Sequence, residues 1–171
     1  MNLLYLSPTL NSYPMMRGAG LFVLLVGLGI TIGGMLGRKY IVPMLIAGGV
    51  LAILSQIVQV KGFTNFGGIP TQAQFYALYI GIAFEVVLIG LVVYFIRDRS
   101  SRRFWLWILL VVGLHFIVLA YAQGPPLLLL GLLSIVNAIV GLRMTNVSYL
   151  KFWVSDGVLK IAIGAWMLST G

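Results

Sequence analysis

The sequence predicts an all-α polytopic membrane protein of six transmembrane helices with both termini outside. Three observations carry that prediction. Of 171 residues, 61% are hydrophobic and only 8% charged. The apolar residues run in stretches long enough for the roughly 20 residues of helix that cross a bilayer core. The charged residues gather in the breaks between those stretches, and the breaks alternate in basic content.

The stretches fall at 19–36, 41–60, 76–96, 104–122, 125–142 and 150–168. Residues 1–18, with Pro8, Pro14, Tyr5 and Tyr13, read as an interfacial arm, and 19–171 as one six-helix bundle. The first apolar run is too long for a signal-peptide core and lacks a small-residue cleavage site, so it is expected to stay. Arg38-Lys39 and Pro43 separate the first two spans. Lys61 to Gln74, with Gly67-Gly68 and Pro70, reads as a loop. Arg97 to Arg103 is a charged break. Gly124-Pro125-Pro126 is a tight turn, because glycine suits a helix end and proline a helix start. Arg143 to Tyr149 closes the fifth span.

The loops after spans 1, 3 and 5 carry Arg38, Lys39, Arg97, Arg99, Arg102, Arg103, Arg143 and Lys151, against Arg17 and Lys61 on the other side. The positive-inside rule then places those three loops in the cytoplasm, and the expected home is a bacterial cytoplasmic membrane. Trp105, Trp107, Phe104, Phe152 and Trp153 lie at span starts, as headgroup anchors do. The net charge of +8 has this topological origin. No basic stripe with interleaved aromatics is present, so nucleic acid is not an expected partner. With no cysteine, disulfides and thiolate metal sites are excluded.

Small residues mark where helices approach closely. Gly29, Gly33 and Gly37 form a GxxxGxxxG run, and Gly20, Gly27 and Gly34 recur every seventh residue. Gly48, Ala52, Ser55 and Gln59 share a face of the second span, and Gly157 and Gly164 lie on the sixth. Such spacing serves packing within one bundle or a homo-oligomer contact. Pro43-Met-Leu-Ile-Ala-Gly48 echoes Pro126-Leu-Leu-Leu-Leu-Gly131. Gln56 and Asn137 follow in the two halves, and the third span of each half carries a carboxylate, Glu85 and Asp156. A 3+3 arrangement of this kind is an inverted repeat, as in many transporters.

Polar groups inside apolar spans are costly and point to function. Glu85 has no basic residue a helical turn away and suits a proton-binding site. His115, the single histidine, suits a relay or ligand. Asp156 and Lys160, four apart, share one helix face and can neutralise each other. Asn137 shares a face with Ser134, which interhelical hydrogen bonding alone would explain. Glu85, His115 and Asp156 could together hold a metal, but no motif joins them, and none is predicted. Motifs for phosphate binding, metalloprotease or serine-hydrolase chemistry are absent.

The run Ser155-Asp156-Gly157-Val158-Leu159-Lys160-Ile161-Ala162-Ile163-Gly164 resembles the last helix of microbial rhodopsins. That resemblance implies retinal on Lys160, with Asp156 and Glu85 as counterions, although those proteins have seven spans. Otherwise no cofactor is expected. Gly113-Leu114-His115-Phe116, Ile135-Val136-Asn137-Ala138-Ile139-Val140-Gly141 and Asp156-Gly157-x-x-Lys160-Ile161 resemble a family of small uncharacterised membrane proteins of Firmicutes-type bacteria. It implies no activity.

The leading functional expectation is a small transporter or channel for a solute or ion, using Glu85, His115, Asn137, Asp156 and Lys160. A non-catalytic membrane partner, such as an immunity, sensory or assembly subunit, is the alternative. An intramembrane enzyme or cofactor protein is the third.

Overall fold

A computed structural model describes residues 12–62 and 69–170, with side chains described for 12–54 and 69–170. Six helices follow in order: α1 (Met16–Leu36), α2 (Arg38–Gly62), α3 (Gln72–Phe95), α4 (Arg102–Gln123), α5 (Pro125–Arg143) and α6 (Tyr149–Thr170). Among the described residues there is no strand. By length and composition α1, α3, α4, α5 and α6 can each cross a membrane. Most of the arm (residues 1–11), the Gly67-Gly68 break and the side chains of Ser55, Gln56 and Gln59 lie outside the described residues.

The helix boundaries differ from the apolar runs where caps and turns decide them. α1 starts three residues before its apolar run, because Met16 is wholly buried in the bundle. Only Gly37 separates α1 from α2. Its φ of 103° turns the chain, and its N–H bonds the Gly33 carbonyl at 3.1 Å. Arg38 and Lys39 therefore open α2 instead of preceding it, and Pro43 lies inside the helix. α3 starts at Gln72 because Thr71 closes a capping box: its hydroxyl accepts from Gln74 N (3.2 Å), and its own N–H donates to Gln74 Oε1 (2.9 Å). Ser101 caps α4 by accepting from Phe104 N at 3.2 Å. Before it, hydrogen bonds from the Ser100 hydroxyl and amide hold the exposed Asp98 carboxyl below its ordinary pKa. Gly124, with a φ of 104°, ends α4, and Pro125 and Pro126 occupy the first turn of α5.

α1 packs on α6 and α2, and α4 packs on α5 and α3. Advancing each helix by three converts the first set of neighbours into the second. The two glycine turns match as well, with φ/ψ of 103°/171° at Gly37 and 104°/166° at Gly124. Gly48 of the Pro43–Gly48 segment lies against Gly29 of α1, and Gly131 of the Pro126–Gly131 segment lies against Gly113 of α4. The correspondence is incomplete. α5 meets α6 along a seam, and α2 and α3 form no comparable one among the described residues.

The loops after α1, α3 and α5 meet at one end of the bundle. Arg38 lies within electrostatic reach of Asp98 and of Tyr149. Arg102 donates to the Gly141, Met144 and Val147 carbonyls, at the end of α5 and in the loop that follows. At the other end, Gln74 Nε2 donates to the Ser12 carbonyl at 2.9 Å and Arg17 Nε to the Leu168 carbonyl at 3.3 Å.

Candidate functional site

α6 supplies the most buried polar group. Asp156 and Lys160 are both 0% exposed. The Lys160 ammonium donates to Asp156 Oδ2 one helical turn away, and Ser134 on α5 donates to Asp156 Oδ1 at 2.7 Å. Both carboxylate oxygens thus have a donor, which is what makes a charge tolerable away from water. The Phe116 ring of α4 lies under the Lys160 ammonium, 5.3 Å from Nζ to centroid. Such a ring face is a weak further partner for a cation.

Glycine lets α1 cover this group. A Cβ at Gly27 would come within 2.8 Å of both the Gly157 carbonyl and Lys160 Cβ. One at Gly20 would come within 2.7 Å of Met167 Cβ, and one at Gly164 within 2.6 Å of the Gly20 carbonyl. These contacts leave no room for a side chain, so the seven-residue glycine spacing of α1 is the α1–α6 seam. Gly29 and Gly33 face α2 instead, against Gly48 and Ile41. Gly37, expected to join them in packing, has no neighbour within 4 Å of a Cβ and makes the turn.

Glu85 and His115 form a second polar group, between α3 and α4. His115 Nδ1 lies 3.6 Å from Glu85 Oε1, close enough for an ion pair and too long for a hydrogen bond. His115 is buried, and among the described residues its Nδ1 makes no hydrogen bond of good geometry, with the Val112 carbonyl one turn back within electrostatic reach. The Glu85 side chain is 28% exposed. The imidazole lies against Phe116, with centroids 4.4 Å apart and planes at 34°. The two groups are therefore separated by one phenyl ring, and Lys160 acts electrostatically on both Glu85 and His115.

The structure thus joins four of the five expected polar residues into two neighbouring sets. Asn137 stands apart. Its Nδ2 donates to the Phe152 carbonyl at 2.8 Å, one turn along the α5–α6 seam from the Ser134–Asp156 bond. Among the described residues, no three His, Asp or Glu side chains group closely enough to hold a metal ion. Sequence reasoning missed Phe116 and Arg102. Phe116 is one of many apolar residues in its span. Arg102 looked like one loop cation among several, because its carbonyl partners lie about forty residues away in sequence.

No curated protein and no solved structure matches the chain. Residues 8–171, nearly the whole length, match a family of unknown function, DUF6609, and the protein belongs to that family.

Proposed function

We propose that the protein is a small membrane transporter or channel whose proton- or ion-binding element is the Glu85–His115 pair. One observation carries this reading. Two ionisable side chains from different helices face each other mid-span without a hydrogen bond between them, and Glu85 is only partly covered. A carboxyl and an imidazole so placed can exchange a proton with each other and with a passing solute. Asp156, Lys160 and Ser134 act beside them as a fixed electrostatic neighbour. The paired neighbour sets of α1 and α4 support a 3+3 inverted repeat, whose usual binding site lies where the halves meet. The arginine-bearing end faces the cytoplasm of a bacterial cell in this reading.

The test is proton uptake into liposomes holding the purified protein, with a pH-sensitive dye and an imposed gradient. Uptake should exceed that of empty liposomes and fall at least tenfold in Glu85→Gln. Equal uptake in the variant would remove Glu85 from the mechanism.

A second reading, a non-catalytic membrane partner, draws on the other polar group. Asp156, Lys160 and Ser134 are sealed and mutually bonded, and Asn137 bonds backbone, as helix-holding residues do. It predicts no uptake and co-purification of the chain with another membrane subunit. A visible absorption band in the purified protein would instead point to a bound cofactor such as retinal or haem.

A further inference from the structure

The space between α3 and α4 opens into a cleft at the arginine-bearing end of the bundle. Its volume is about 640 Å³. Its walls are apolar, formed by residues such as Leu88, Val92, Leu110 and Leu114, and Trp107 stands beside them. Two cations, Arg97 and Arg103, also line it. Both are exposed, and among the described residues neither guanidinium is engaged by an acid or a carbonyl. That separates them from Arg102, whose guanidinium is committed to three carbonyls.

We infer that this cleft binds an anionic phospholipid, its phosphate on Arg97 and Arg103 and an acyl chain between α3 and α4. Three features fix the occupant. An apolar wall calls for hydrocarbon, and two free guanidinium groups at its mouth call for a phosphate, which arginine binds through paired N–H donors. Basic pockets between membrane helices at the headgroup level are the usual seat of such lipids. The length also fits. From Arg103 to Leu114 the α4 wall runs roughly 16 Å at 1.5 Å per residue. One leaflet of hydrocarbon is about 15 Å deep, half of the bilayer core. The half-exposed Trp107 lies along that chain as an amphipathic neighbour.

Trp107 supplies the readout. The purified full chain is reconstituted in phosphatidylcholine vesicles. Increasing fractions of phosphatidylglycerol or phosphatidylcholine with brominated acyl chains are then added, since bromine quenches a tryptophan that it touches. The Trp107 signal is the difference between the protein and Trp107→Phe. Brominated phosphatidylglycerol should quench it at least tenfold more effectively than brominated phosphatidylcholine. The preference should drop about fivefold for each guanidinium removed, the equivalent of about 1 kcal/mol, in R97Q and R103Q. Leu110→Phe, which narrows the cleft and keeps both arginines, should weaken quenching by phosphatidylglycerol. Equal quenching by the two lipids in the unaltered protein would overturn the inference. So would an undiminished preference in R97Q/R103Q. Quenching by neither lipid would mean that a second copy of the chain covers this face, and would overturn it equally.

Discussion

The α1–α5–α6 side and the α3–α4 side solve the same problem, polar atoms in an apolar bundle, in opposite ways. On the first, Asp156 and Lys160 are sealed under glycine seams and every carboxylate oxygen has a donor. On the second, Glu85 and His115 face each other beyond hydrogen-bond length, Glu85 keeps some exposure, and an arginine-mouthed cleft opens nearby. Saturated polarity holds helices together. Unsaturated, reachable polarity is free to bind something. The molecule places both kinds one phenyl ring apart.

That contrast is broken most forcefully at the sealed pair. Lys160→Met alone leaves Asp156 buried and charged, or forces it neutral, and should cost about 3–5 kcal/mol of bundle stability. Asp156→Leu should cost a similar amount. The double variant should recover most of the loss, since paired removal leaves no stranded charge. Unfolding of the detergent-solubilised variants reads both effects. A double variant as unstable as either single would show that the pair does more than neutralise itself.

The glycine seams give the next largest effect. Gly27→Val places methyl groups where a Cβ already meets the Gly157 carbonyl, and should cost about 1–3 kcal/mol. Gly90→Ala, in a helix with open space around it, should be neutral or stabilise by up to about 1 kcal/mol. If the two glycines respond alike, the seam is not what holds α1 to α6.

Single interhelical hydrogen bonds come below that. Asn137→Ala removes the Phe152 contact and Ser134→Ala removes one donor from Asp156. Membrane hydrogen bonds of this kind are worth about 0.6 kcal/mol on average and up to about 1.7. Ser134→Ala should lie at the upper end, because its acceptor is a buried carboxylate. Asn137→Ala should lie at the lower end.

The parts legible in the sequence were those whose physics is local. Asp156 and Lys160 sit four apart, so their pairing follows from helical geometry. Gly20, Gly27 and Gly34 announced a close seam by their spacing, and Gly124-Pro125-Pro126 announced a turn. Thr71 and Gln74 also carried a local signal, the T-x-x-Q capping box, which would have moved the start of α3 four residues earlier had it been read. The Gly37 turn hid inside a GxxxG pattern, because φ is not written in spacing. The meeting of Glu85 with His115, Phe116 under Lys160, and the Arg102 clamp were illegible for another reason. Each depends on how separate helices are rotated about their axes, and near-uniform apolar faces leave that rotation unmarked.

The smallest expected stability effect is therefore the most informative about function. Glu85 accepts no hydrogen bond from His115 and glutamine keeps its shape, so Glu85→Gln should change stability by less than about 0.5 kcal/mol, the range of substitutions that break no specific feature. Its effect on proton uptake should be large all the same. A group whose removal leaves the fold intact and stops flux was held there for flux. If Glu85→Gln instead destabilised the bundle as much as Lys160→Met does, Glu85 would belong with the sealed polar group. The distinction between the two sides of the molecule would then collapse, and the partner-subunit reading would take the lead.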